Sequence, residues 1–164
     1  MMVIDFSPLF EKQLELDTEI QKNHNVTYQE TLERRFLSLY VEIGELANAT
    51  RCFKYWSNKP SEPRERVMDE FADGLHFLLS LGIALDIKNH SFMKKETTED
   101  LSNLFVKMYS VIDELHTKKN EDTYQKTFET LLLIASKLNM NKDDIFASYL
   151  LKLGENYHRQ ETNY

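Results

Sequence analysis

With 164 residues, 41% of them hydrophobic and 29% charged, the chain is long enough for one domain with a buried core. A formal net charge of −7 excludes a sequence-independent grip on a nucleic-acid backbone, which needs a basic surface. The single Cys52 excludes an internal disulfide framework and suits a reducing, cytoplasmic setting. Four glycines and three prolines argue against a turn-rich all-β fold or disorder. The N-terminus lacks a basic n-region with a long apolar run, so no signal peptide is expected. No stretch approaches the roughly 18 apolar residues of a membrane span.

Helix-start chemistry recurs along the chain. Ser7-Pro8 predicts an N-cap followed by proline at the first helical position, and Thr27 to Glu30 reads as a capping box. Ser61 to Pro63, Thr97 to Asp100, Asn120 to Thr123 and Asn141 to Asp144 offer later starts. Apolar residues spaced by three and four fill the intervals, and no clean period-two run with hairpin turns is present. The pattern predicts an all-α, single-domain bundle of about six helices over residues 1–164.

On the first helix Gln13 and Asp17 stand four residues apart and read by themselves as a solvated polar face. The next helices are different. Glu42 and Glu45 sit among Leu39, Val41, Leu46 and Ala49, and Glu70 and Asp73 among Val67, Phe71 and Leu75, with Phe77 in line. Like charges three residues apart repel, and carboxylates close to a core are costly unless paired or bound to a metal. Two such pairs on adjacent apolar helices point to a hard cation held by oxygen ligands, Mg2+ above all.

The stretch from Arg51 to Pro60 mixes Phe53, Tyr55 and Trp56 with Lys54 and Lys59. It reads equally as a platform for a base and phosphate or as an aromatic cap on the core. The middle, 88–142, carries apolar stripes of core or interface type, with His90 and His116 as surface residues lacking a partner at metal-ligand spacing. In the tail, Lys152, Asn156 and Arg159 form one helical stripe suited to a polyphosphate, or simply to a helix C-terminus. An acidic metal centre beside a basic stripe is the division of labour of metal-assisted phosphoryl chemistry.

These residues resemble the dimeric, all-α dUTP pyrophosphatases, relatives of the MazG-type nucleotide pyrophosphatases, over essentially the whole chain. ExxE followed by ExxD, here Glu42, Glu45, Glu70 and Asp73, is the superfamily pattern. The strings Glu42 to Trp56 and Asp69 to Phe77 resemble the two metal blocks, and Lys12 to Asp17 the motif whose Gln recognises uracil. The tail, about 149–164, resembles the family's phosphate motif, with Leu153 in place of an Asn and Asn163 in place of a Gly.

The resemblance implies roles at the matching positions. Glu42, Glu45, Glu70 and Asp73 would bind two or more Mg2+ ions, with Mn2+ able to substitute, and Glu45, supported by Glu42, would serve catalysis. Gln13 would read uracil, Trp56 would line the nucleoside pocket, and Asp73 and Phe77 would sit against the deoxyribose. Lys152, Asn156, Arg159 and Tyr164 would hold the outer phosphates. The implied activity is hydrolysis of dUTP, and of dUDP, to dUMP by a cytoplasmic homodimer. It limits uracil in DNA and supplies dUMP. The alternatives are a MazG-like pyrophosphatase with another nucleotide preference, or a phage-type member that also binds a repressor protein. A di-iron bundle is disfavoured, because Asp73-Gly-Leu-His76 is its motif in one copy only.

Overall fold

Six helices form where the three-and-four spacing is sustained, and the computed structural model describes residues 1–163. They are α1 (Ser7–His24), α2 (Tyr28–Thr50), α3 (Arg64–Ala84), α4 (Leu101–Lys118), α5 (Glu121–Lys137) and α6 (Lys142–Glu161). The all-α expectation holds, with one addition. Strands β1 (Met2–Asp5) and β2 (Ser91–Lys94) pair antiparallel, with Ile4 opposite Phe92. Each strand has only four residues, and no hairpin joins them, so a period-two signal never accumulates.

Capping chemistry sets most helix starts. Thr27 Oγ1 accepts from the Glu30 amide at 3.2 Å while Glu30 accepts from the Thr27 amide at 2.9 Å. Asn120 with Thr123, and Asn141 with Asp144, repeat the box at α5 and α6, and Asp100 caps α4. One start differs from expectation: Phe6, not Ser7, is the N-cap of α1, while α3 begins behind Pro63 within the expected stretch, neither with a side-chain cap. The left-handed ends of α1, α2 and α4 are filled by Asn25, Arg51 and Lys119, and no glycine has positive φ.

The directions of the helices follow from their cross-contacts. Arg35 meets Ser80 and Ser61 meets Ala49, so α2 and α3 run antiparallel. Gln13 meets His76 and Asp17 meets Ser80, while Arg64 meets Asp144 and Asn156 meets His76. Helices α1 and α6 therefore run in the same direction as α3. An antiparallel α4–α5 hairpin completes the core, where Phe6, Phe92 and Phe128 pack with centroids 4.1 to 6.2 Å apart. Tyr124 crosses α3 at Gly82 and donates to the Leu78 carbonyl at 2.7 Å; a Cβ on Gly82 would meet the Tyr124 hydroxyl and lie 2.8 Å from the Phe10 ring. The two histidines read as surface residues are half-buried, and each makes a contact of its own. His90 stacks on Phe10 at 3.9 Å, and His116 Nε2 lies 2.9 Å from Glu33, tying α4 to α2. Among the described residues no helix is long and apolar enough to cross a membrane.

Candidate active site

Antiparallel α2 and α3 turn their acidic pairs toward each other. Oxygens of Glu42, Glu45 and Glu70 lie within 4.8 Å of one another, and those of Asp69, Glu70 and Asp73 do the same, so Glu70 joins two clusters. Glu70 is buried, Glu42 half-buried and Glu45 exposed. Burial, followed by the charges of Asp73, Glu45 and Glu70, pushes the Glu42 carboxyl up to about 8. Burial raises Glu70 to about 7 even though Arg66 reaches one of its oxygens at 2.7 Å. Glu42 Oε2 and Glu70 Oε2 are buried with no hydrogen-bond partner. Such orphaned acceptors are costly unless something positive meets them. The donor set is carboxylate throughout, which fits a hard divalent cation better than a soft one.

Asp69 is a residue that the sequence reading missed. With Asp73 and Glu155 it surrounds Lys152 on α6, at 2.7, 3.2 and 3.2 Å from the Nζ. The lysine is 3% exposed, and although burial alone would lower its pKa, Asp69 and Asp73 carry it above the ordinary lysine value. Burial also raises Asp73, and Lys152 opposes that rise. The basic stripe and the acidic centre are thus in direct contact in the described structure.

One turn further along α3 and α6, and so roughly 6 Å away, lies a second, mostly neutral assembly. Gln13 and Asp17 are buried at 0% and 3% exposure, which overturns the solvated-face reading. Gln13 Nε2 donates to Asp17 Oδ1 at 2.9 Å, and Gln13 Oε1 accepts from the Tyr149 hydroxyl at 2.8 Å. Asp17 Oδ2 accepts from Ser80 and Tyr28, and Arg35 Nε donates to Ser80 Oγ. Burial lowers the His76 pKa to about 4, leaving a neutral ring between Gln13 and Asn156. A cavity of about 350 Å³ opens here, lined by Asp17, Arg35, His76, Phe77, Asn156 and Arg159 among others. That volume lies within the range of small-ligand pockets.

The aromatic cap reading of the α2–α3 loop does not hold. Tyr55 is 93% exposed and Trp56 64%, and the loop is held by Arg51 donating to Ser57 Oγ and the Lys59 carbonyl. Trp56 is not among the residues lining the cavity. Tyr164 lies outside the described residues. His76, Tyr149, Tyr28, Ser80 and Arg35 were also missed. Each is an ordinary helical residue until α1, α2, α3 and α6 bring them together.

The sequence model of a family described as dUTPase matches residues 5–164. The chain belongs to the all-α dUTPase family. A search among curated proteins finds no match. As a dUTPase it hydrolyses dUTP, and a carboxylate cluster one helical turn from a cavity of about 350 Å³ is an arrangement that such chemistry can use.

Proposed function

We propose that the chain is a Mg2+-dependent dUTP pyrophosphatase, converting dUTP and water to dUMP and pyrophosphate and also accepting dUDP. The observation that carries the reading is the pair of orphaned, buried carboxylate oxygens on Glu42 and Glu70, two members of a single cluster. Glu42, Glu45, Glu70 and Asp73 hold the divalent ions. Bound there, Mg2+ or Mn2+ would supply positive charge against the substrate phosphates and lower the pKa of an associated water. Glu45 is the exposed member of its cluster, so it meets solvent first and would be the group to accept a proton from a hydrolytic water.

The remaining assignments follow the family resemblance, with support from the contacts around Gln13 and from Phe77, Asn156 and Arg159 at the cavity. Gln13 reads the uracil edge, its amide oriented by Asp17 and Tyr149. Phe77 packs against the deoxyribose beside Asp73, and Trp56, exposed and outside the cavity lining, is assigned to the nucleoside pocket from the resemblance alone. Asn156 and Arg159 reach the phosphates from α6, with Lys152 and Tyr164 of the same tail. The chain acts as one all-α unit in a cytoplasmic homodimer.

The test is pyrophosphate release from dUTP with and without Mg2+, run across a panel of deoxynucleotides. Glu45→Gln is expected to abolish turnover while leaving the circular dichroism spectrum and melting curve unchanged. Near-wild-type turnover in that variant would remove the cluster from catalysis, and equal turnover of dCTP or dTTP would remove the uracil preference.

A further inference from the structure

Lys152 is a buried lysine whose three ammonium donors are all spoken for, by Asp69, Asp73 and Glu155 at 2.7 to 3.2 Å. Two of those partners, Asp69 and Asp73, form with Glu70 one of the two clusters in which ligand oxygens come within 4.8 Å of one another. The third member, Glu70, is 4% exposed and carries an unpartnered Oε2. The other cluster, Glu42, Glu45 and Glu70, contains no carboxylate paired to Lys152. The two halves of the acidic centre are thus unequal: on one side a lysine already stands close to where a second cation would be.

We propose that Lys152 is a resident counter-cation that closes the Asp69–Asp73 half of the centre to a divalent ion until a polyphosphate draws the ammonium away. The inference rests on the metal-dependent reading above and deepens it. Three charge-assisted contacts to an ammonium whose side chain is 4% exposed are not surrendered to a free metal ion, which must itself shed water to enter. A nucleotide polyphosphate changes the balance by offering oxygens of higher charge to the same ammonium. The freed Asp69 and Asp73 carboxylates then need a new cation, and a divalent ion arriving with the substrate satisfies them. Lys152 thereby couples completion of the metal centre to the presence of a polyphosphate, and an idle enzyme does not carry a full metal complement.

The test is Mn2+ binding to the metal-free chain without nucleotide, read by electron paramagnetic resonance of the free ion. Wild type is expected to bind a single ion tightly per chain. Lys152→Met, which keeps the apolar stem and removes the charge, is expected to gain a second site about a hundredfold or more tighter than any second site in wild type. Lys152→Arg restores the charge and should return the wild-type stoichiometry. One tight site in wild type and still one in Lys152→Met overturns the proposal and leaves the metal reading intact. Two tight sites in wild type overturn it as well. Binding by neither protein overturns the metal reading and this inference with it. If Lys152→Met does not fold, the wild-type Lys152 ammonium resonance serves instead. It should survive the first equivalent of Mg2+ and shift only with a non-hydrolysable dUTP analogue, and its loss on Mg2+ alone overturns the proposal.

Discussion

Glu42→Gln should stabilise the metal-free protein at alkaline pH while impairing its chemistry. The Glu42 carboxyl is held at about 8 rather than 4.5 by burial and by the neighbouring Asp73, Glu45 and Glu70. An acid with a raised pKa binds its proton more tightly in the folded state. The stability this contributes is fully present below about 4.5 and drains as pH rises from there to about 8. Taken at face value the shift corresponds to about 5 kcal/mol. Glu42 is only half-buried, so screening by solvent reduces this to about 1–2 kcal/mol. Glutamine copies the shape of the protonated acid and carries no charge at any pH. Urea or thermal unfolding in chelator should therefore find variant and wild type alike near about pH 5, with the variant ahead by about 1–2 kcal/mol near about pH 9. The corresponding gain in melting temperature is about 2–8 °C. Added Mg2+ should close the gap by stabilising wild type more. A variant less stable than wild type at alkaline pH, or a difference that does not change with pH, would refute the reasoning.

Tyr149→Phe removes the donor to Gln13 Oε1 and leaves a buried carbonyl unmet, a cost of about 1–3 kcal/mol in urea unfolding. It also loosens the amide proposed to read the base, so KM for dUTP should rise more than kcat falls; unchanged stability would show that Gln13 finds another partner. Gly82→Ala places a methyl group against the Tyr124 hydroxyl and the Phe10 ring, and overpacking there should cost about 1–3 kcal/mol or more. Gly154→Ala is the opposite case. Nothing lies within 4 Å of the added Cβ in α6, so the change should stabilise by about 0.5–1 kcal/mol; equal effects of the two substitutions would contradict the packing described.

The acidic pairs were legible in the sequence because like charges set into apolar helices are costly, and a shared cation removes that cost. Asp69 was not legible. It adjoins Glu70 yet points about 100° away around the helix, and only Lys152, far along the chain, gives it a role. Gln13 and Asp17 misled for a related reason. Their spacing fixes a shared face, but α6 and Tyr149 decide whether that face meets water. Capping is local: the box at Thr27 is found as read, and the helix starts read at Asn120 and Asn141 prove to be boxes as well. The strand pair is the reverse case, since its existence depends on β2 meeting a segment distant from it along the chain.

Two cations that touch the acidic centre, Arg66 and Lys152, differ in what their displacement would cost. Arg66 reaches Glu70 at 2.7 Å, but its side chain is 56% exposed and it also touches Glu62 and Asp69. Leaving Glu70 would return it to water and to those partners, at little cost. Lys152 has a side chain only 4% exposed, and moving it would strip three contacts at once from a buried charge. An arriving divalent ion therefore meets low resistance on the Glu42–Glu45–Glu70 side and high resistance on the Asp69–Asp73 side. That asymmetry is built by the relative placement of α3 and α6, and the same two helices lead one turn on to His76 and Asn156 at the cavity. A ligand that bridges cavity and carboxylates along this axis would engage both helices together. The ion pair most costly to break is thus positioned to respond to a nucleotide carrying phosphates, and not to a metal ion alone.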